Sequence, residues 1–119
     1  MSKPVAHYSP STRAGDWLIV SGQVGLADGQ MADGLVAQTK QVLANLSSVL
    51  DAGGATLDDV AKCVIFLSDI DDFAVVNGLY AEAFGDHLPS RSAVAVAGLP
   101  LGALVEIEAW AYLGPAAGE

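Results

Sequence analysis

Apolar and polar residues recur along this chain with periods that change at turn-forming residues. β-branched and apolar residues from Trp17 to Gln23 predict a strand, and a second strand is expected over 24–26. Asp28-Gly29 predicts a tight reversal, because both residue types accept positive φ angles. The following apolar positions recur at spacings of three and four, which predicts a helix with one buried face: Leu35, Thr39, Val42, Leu43, Leu46, Val49 and Leu50.

Gly53-Gly54 predicts the end of this helix, because glycine accepts the left-handed conformation at a helix C-terminus. Thr56 and Asp59 have the spacing of a capping box, which predicts a single helical turn. Residues 63–67 are apolar throughout, as is typical of an interior strand buried on both faces.

Residues 73–84 carry apolar side chains at helical spacing, and strands are expected afterwards over 92–97 and 104–113. The resulting order is strand, strand, helix, strand, helix, strand, strand. It predicts an α+β sandwich in which two helices cover one face of a mixed sheet. Apolar residues remain for the other face, so two or three copies packed sheet to sheet are expected: Val64, Phe66, Val94, Val96, Val105 and Ile107.

Composition narrows the functional classes. The 119 residues fit a single domain over 1–119, and a charged share of 16% with 52% hydrophobic residues favours a homo-oligomer. A net charge of −9 without a basic stripe predicts that nucleic acid is not a partner.

Cys63 is the only cysteine, and no apolar run is long enough for a signal peptide or a membrane span, so a cytoplasmic protein is expected. His7 and His87 lack a ligand spacing, so no metal site is expected.

Two charged residues stand inside apolar runs. Arg91 follows Pro89-Ser90, and Glu106 lies between Val105 and Ile107. Charged groups are seldom buried unless they are paired or functional, and a guanidinium fork suits a carboxylate ligand. An alternative interpretation is an Arg91–Glu106 ion pair that only ties two strands together.

Several short segments match a known family in order along nearly the whole chain. They are Val20-Ser21-Gly22-Gln23, Gln38-Thr39 through Asn45-Leu46, Leu50-Asp51-Ala52-Gly53-Gly54, Asp59-Val60-Ala61-Lys62, Phe73 to Asn77 with Tyr80, Pro89-Ser90-Arg91-Ser92, Leu99-Pro100, and Val105-Glu106-Ile107-Glu108-Ala109. With these segments the chain resembles the RidA/YjgF family of reactive-intermediate deaminases. The resemblance implies a chorismate-mutase-like α+β fold assembled as a homotrimer, with active sites in the clefts between subunits.

The resemblance also implies an activity and its residues. Members of the family hydrolyse 2-imino acids such as 2-iminobutanoate and 2-iminopropanoate, or their enamine tautomers, to 2-keto acids and ammonia, without a metal or organic cofactor. The family's carboxylate-binding arginine falls on Arg91 and its water-positioning glutamate on Glu106. Its catalytic serine and tyrosine fall on Ser21 and Tyr8.

Two further positions belong to the implied substrate site. The family's helix asparagine falls on Asn77, and Ala93 stands where many members carry a cysteine. A backbone group at Ala93 can still hold the attacking water, whereas a thiol-dependent role is not expected.

Other functions remain open at this stage. A non-catalytic metabolite-binding trimer would keep Arg91 as a carboxylate anchor but needs no base. A pathway-specific enamine deaminase of the aminoacrylate or aminomuconate type would use the same residues. A ribonuclease is disfavoured, because a net charge of −9 repels RNA. The sequence does not select the side chain of the imino acid.

Overall fold

The computed structural model describes residues 6–115, which form a five-stranded sheet, a short hairpin and two helices. The strands and helices are β1 Ser11–Ala14, β2 Trp17–Gln23, β3 Leu26–Ala27, β4 Gln30–Met31, α1 Leu35–Ala52, β5 Val60–Leu67, α2 Phe73–Phe84, β6 Ser90–Ala95 and β7 Val105–Tyr112. Single 3₁₀ turns lie at Leu57–Asp59, Ile70–Asp72 and Pro100–Gly102. None of the helices in this part of the chain has the length and hydropathy of a membrane span.

The sheet is mixed. Its strand order is β1-β2-β7-β5-β6, with β5 and β6 parallel and the other neighbours antiparallel. The strand β6 therefore forms one edge of the sheet, and β7 lies at its centre. This arrangement confirms the expected α+β fold with two helices on one face.

Both helices pack on the same face of the sheet. Alternate residues of β5 and β7 are completely buried there, because successive side chains of a strand point to opposite faces. The core between the helices and these strands contains Val42, Leu46, Leu50, Cys63, Ile65, Leu67, Val76, Val105, Ile107 and Ala109.

The opposite face, called the open face below, has no covering element within residues 6–115. Val64 and Phe66 lie on it, as expected from the sequence. Val105 and Ile107 do not, because both are fully buried against the helices, and the assignment of these two residues to the open face is wrong. Glu106, Glu108, Trp110 and Tyr112 occupy the open-face positions of β7 instead.

Local predictions succeeded where backbone chemistry is distinctive. Asp28 and Gly29 have φ angles of 52° and 78°, as the reversal requires, and Thr56 with Asp59 forms the predicted capping box. The strand predicted over 24–26 is wrong, since only Leu26 lies in a strand. The short polar strand β1 was not predicted, because residues 11–14 carry no apolar alternation.

Candidate active site

Arg91 lies on the edge strand β6 and points toward helix α2. Its Nη1 donates a hydrogen bond of 2.6 Å to Asn77 Oδ1. The guanidinium carbon lies 5.3 Å from the Phe73 ring centroid and 4.9 Å from that of Tyr80, within cation–π range. Phe73, Asn77 and Tyr80 are spaced i, i+4 and i+7, so one face of α2 holds the guanidinium from three sides.

The Tyr80 ring is itself held in place by packing against Phe84. Its ring is 6% exposed and stacks on Phe84 with the ring centroids 4.4 Å apart. Burial raises the pKa of the Tyr80 hydroxyl and that of the adjacent Cys63 thiol, so both groups are neutral at pH 7. The positive charge of Arg91 therefore faces two neutral side chains and no buried anion.

A cavity of about 350 Å³ opens beside Arg91. Its lining contains Asn77, Tyr80, Ala81, Phe84, Gly85, His87, Leu88, Pro89 and Arg91. The His87 Nε2 lies 2.6 Å from the carbonyl oxygen of Val60, which ties the segment after α2 to the start of β5. The volume lies within the range of small-molecule sites.

Glu106 lies on the open face, at the centre of the sheet. A Cβ atom added to Gly22 would collide with the Glu106 carboxylate, so the absence of a side chain at Gly22 makes room for it. Burial raises the pKa of Glu106, and the nearby charge of Glu108 raises it further. A carboxylate with a raised pKa accepts a proton more readily, which suits a general base.

Ser21 lies on the same side of the sheet as Glu106, and Tyr8 lies in the segment next to it. Ser21 follows the buried Val20 on β2, so its side chain points to the open face. Its Oγ donates a 2.6 Å hydrogen bond to the carbonyl oxygen of Ser9, and its backbone N–H bonds to Pro10. Tyr8 directly precedes this attached segment and is 48% exposed.

Strand register separates Arg91 from Glu106. Arg91 is paired with Cys63, whereas Glu106 is paired with Phe66, three residues farther along β5. Cys63 points toward the helices and Phe66 toward the open face, so Arg91 and Glu106 lie on opposite faces of one sheet. The alternative of an ion pair within one chain is wrong, since the two side chains lie on opposite faces of the sheet and Arg91 donates to Asn77 instead.

The six candidate residues thus form two half-sites. The cationic half-site consists of Arg91 and Asn77, with Ala93 two residues beyond Arg91 on the same face of β6. The carboxylate half-site consists of Glu106 and Ser21, and Tyr8 directly precedes Ser9, whose carbonyl oxygen accepts the Ser21 hydrogen bond. Within residues 6–115, no three histidine, cysteine or acidic side chains lie close enough to hold a metal ion.

Phe73, Tyr80 and Gly22 were not predicted from the sequence as parts of the site. The spacing of Phe73 and Tyr80 around Asn77 was a usable signal, because aromatic faces at i and i+7 frame a residue at i+4. The role of Gly22 had no local signal, since it depends on pairing with a strand 80 residues away.

Proteins of similar sequence and similar structure are known for this chain. The sequence matches the family described as Endoribonuclease L-PSP over residues 1–113. A mouse 2-iminobutanoate/2-iminopropanoate deaminase is 41% identical, over 93% of this chain and 84% of the mouse protein. The structure of RidA from an Antarctic Psychrobacter superposes with a TM-score of 0.90 at 37% identity, covering 92% of this chain and 91% of that one. E. coli TdcF with bound serine gives 0.89 at 30% identity, covering 93% and 91%. The match across almost all of both chains shows that this protein belongs to the RidA/YjgF family, whose sequence family is the Endoribonuclease L-PSP family.

Proposed function

We propose that this protein is a deaminase that hydrolyses 2-imino acids, of the 2-iminobutanoate and 2-iminopropanoate type, to 2-keto acids and ammonia. The observation that carries the proposal is the fixed guanidinium of Arg91 beside a cavity, with no acidic partner among residues 6–115. Its free N–H groups form a fork that matches a substrate carboxylate. A carboxylate held in this way also fixes the orientation of the adjacent C=N bond.

The reaction follows from this orientation. Water adds its oxygen to C2 of the protonated imine, and Glu106 accepts a proton from that water. The nitrogen of the resulting aminol takes up the proton held by Glu106, and the C2–N bond breaks to release ammonia. The C2 hydroxyl returns its proton to the Glu106 carboxylate as the C2–O bond becomes the carbonyl of the 2-keto acid. Ser21 and Tyr8 supply hydroxyl groups beside the leaving nitrogen, and a backbone group at Ala93 helps to hold the water.

A complete site requires two chains. Arg91 and Glu106 lie on opposite faces of one sheet, so one chain offers the carboxylate anchor and its neighbour offers the base. A closed ring of three copies gives three equivalent sites of this kind. The uncovered open face supports this assembly, because its aromatic and aliphatic side chains otherwise face water.

Two relatives support the chemistry. The mouse relative bears the name of a 2-iminobutanoate/2-iminopropanoate deaminase. TdcF binds serine, a compound with the same α-carboxylate and α-nitrogen arrangement as a 2-imino acid. RNA cleavage is the activity suggested by the family description, but a net charge of −9 opposes binding to a phosphate backbone. The expected cytoplasmic location remains a prediction.

The test generates 2-iminopropanoate and 2-iminobutanoate in situ with an amino-acid oxidase and traps the unreacted imine with semicarbazide. Wild-type protein should suppress the trapped product. Arg91→Ala should abolish this suppression, whereas Glu106→Gln should lower kcat by about 10²–10⁴-fold. Calorimetric titration with 2-ketobutyrate should show normal affinity for Glu106→Gln and none for Arg91→Ala.

Circular dichroism must show that both variants are folded, since removing Arg91 exposes its ring and amide partners. Full activity of a folded Arg91→Ala protein would contradict the proposal. Unchanged turnover of a folded Glu106→Gln protein would remove Glu106 from the role of base. A wild-type protein that binds 2-ketobutyrate but hydrolyses neither imine would be a non-catalytic metabolite-binding protein.

A further inference from the structure

Leu88 is the most exposed large hydrophobic residue of the described chain, with 86% of its surface open to solvent. It lies in residues 86–89, called the 86–89 arm below, which join α2 to β6 and lead toward Arg91. A single exposed leucine is common on protein surfaces, but this one adjoins a half-site that a neighbouring chain completes. In the proposed assembly, the surface around Leu88 therefore faces another subunit.

The 86–89 arm is held against its own chain. Gly85 has a φ of 61°, which lets the backbone leave α2 sharply. The backbone N–H of His87 donates to a carbonyl oxygen in the last turn of α2 at 3.2 Å, and His87 Nε2 lies 2.6 Å from the carbonyl oxygen of Val60. A side chain on a segment fixed in this way loses little conformational entropy on association, so its burial contributes more to binding.

The open face carries a groove of about 720 Å³ that suits an apolar side chain. Trp17 and Trp110 are 37% and 40% exposed, so both rings have apolar surface left to bury. Glu108 lies two residues from Glu106 on the same face of β7, which places the groove beside the carboxylate half-site. The groove is lined by Ala14, Trp17, Ile19, Lys62, Val64, Glu108 and Trp110.

Spans along the chain match a contact between the arm and the groove. Three residues separate Leu88 from Arg91, a distance of at most about 10 Å. Val64 in the groove pairs with Glu108 on β7, and Glu108 lies about 7 Å from Glu106 along the strand. When a neighbouring chain brings its Arg91 to a substrate held beside Glu106, its Leu88 can therefore reach the groove.

We propose that the 86–89 arm of one chain docks in the open-face groove of its neighbour, with Leu88 against the tryptophan rings. The inference rests on the proposed function, because it takes Arg91 and Glu106 of a site from neighbouring chains. The arm continues directly into β6, so the contact that joins two subunits also sets the position of Arg91 opposite the neighbour's base.

Charge complementarity favours the same occupant. Asp86 is an exposed acidic residue of the arm, and Lys62 is an exposed basic residue that lines the groove. A lysine covered by another chain needs an opposite charge, because burial of an unpaired ammonium group is costly. Within the groove Glu108 already accepts a 3.2 Å hydrogen bond from Trp110 Nε1, and Asp86 of the docked arm supplies a carboxylate for Lys62.

A disulfide between the arm and the groove tests the contact directly. Leu88→Cys and Val64→Cys are combined in one chain, in which the native Cys63 is fully buried. Val64 pairs with Ser92, four residues beyond Leu88, so the two substituted positions of one chain are about 13 Å apart. A disulfide spans at most about 7 Å between Cα atoms, so any bond must join two chains. Oxidation should give a covalent trimer on a non-reducing gel.

Leu101→Cys combined with Val64→Cys is the matched control. Leu101 is 66% exposed and lines neither the groove nor the cavity beside Arg91, so no covalent trimer is expected.

Sedimentation velocity over a dilution series measures the strength of the contact. Leu88→Ala should raise the concentration at which the trimer dissociates by about 10- to 100-fold, because burial of a leucine side chain contributes about that factor. Lys62→Glu and Asp86→Lys should each weaken the trimer, and their combination should restore it. Lys40→Glu, at an exposed position of α1, should associate as wild type.

Absence of the covalent trimer, or equal dissociation of Leu88→Ala and Leu101→Ala, overturns the docking while the deaminase proposal stands. A protein that forms the covalent trimer but hydrolyses neither imine overturns the deaminase proposal and keeps the contact between chains. A stable monomer that hydrolyses the imines overturns the divided site and this inference with it.

Discussion

Arg91 is oriented by side chains that leave its binding edge free. The guanidinium rests against the rings of Phe73 and Tyr80 and donates one hydrogen bond to Asn77. A free arginine side chain carries about 2 kcal/mol of rotamer entropy, part of which a ligand would otherwise have to remove. Contacts made before binding reduce that cost, so α2 contributes to carboxylate affinity by holding Arg91 in place.

Glu106 is the residue whose titration should set the acidic limit of activity. Its pKa is raised by burial and then by the like charge of Glu108. A base works only when deprotonated, so kcat/KM should fall as the pH drops through this raised pKa. Glu108→Gln removes the like charge, which lowers the pKa of Glu106. Activity should therefore persist to lower pH in this variant.

The measurement is a pH profile of imine hydrolysis for wild type and Glu108→Gln, with Asp58→Asn as a control for the loss of one negative charge elsewhere. Asp58 is an exposed residue of the 3₁₀ turn before β5. Its variant should keep the wild-type acidic limb. A limb that moves to higher pH in Glu108→Gln, or does not move, would remove Glu106 from the role of base.

At the scale of elements, the carboxylate half-site depends on how closely β2 and β7 approach. The irregular register between Val20 and Gln23 places Gly22 against the Glu106 side chain. Gly22→Ala should displace the carboxylate, and a shift of about 1 Å in a reacting group costs about 10²-fold in rate. We expect that loss in kcat, with normal 2-ketobutyrate affinity because Arg91 is untouched.

Gly78→Ala provides the matched control. Gly78 lies on α2 with no atom near its missing side chain, so alanine fits there. This variant should keep wild-type turnover and raise the free energy of unfolding by about 0.5–1 kcal/mol, because glycine weakens a helix interior. Thermal denaturation and the imine assay measure both effects, and equal turnover of the two variants would exclude a role for the β2–β7 approach.

The elements were predictable where the sequence carries strong local periodicity. The helices α1 and α2 and the strands β2, β5 and β7 follow from apolar spacing, which reports burial of one or both faces. The face of Arg91 was not predictable, because its neighbours Ser90 and Ser92 are small and polar and give no inside–outside contrast. Only the pairing of β6 with β5 decides that Arg91 points toward α2 while Glu106 points away.

At the scale of the whole molecule, the open face has the composition of an interface. Trp17 lies between Trp110 and Tyr112, with ring centroids 6.4 Å and 5.1 Å away. Trp17 and Trp110 border a groove of about 720 Å³ whose lining also includes Ile19, Val64, Lys62 and Glu108. Aromatic residues concentrated on one face of a sheet are typical of a surface that another chain covers. The proposed trimer would bury this face and bring the two half-sites together.

A mixing experiment tests this assembly and the division of the site. Arg91→Ala and Glu106→Gln should each be inactive alone, since every site in either variant lacks one group. In trimers formed from equal amounts of both variants, each site takes Arg91 from one chain and Glu106 from the next. The site is intact when the first chain is Glu106→Gln, which keeps Arg91, and the second is Arg91→Ala, which keeps Glu106. Each condition holds with a probability of one half, so about one quarter of the sites should recover.

The two chains are co-expressed with different affinity tags, purified through both tags in succession, and assayed against each variant alone. Tandem purification removes pure trimers, which raises the recovered fraction to about one third, because every mixed trimer has one intact site in three. A chain carrying both substitutions, mixed with Arg91→Ala, is the control and should recover nothing, because no chain in that mixture has Arg91. Absence of recovery in the first mixture would contradict a site divided between two chains, which the opposite faces of Arg91 and Glu106 on the sheet predict. Recovery near one quarter or above it would mean that each active site takes its anchor from one subunit and its base from the next.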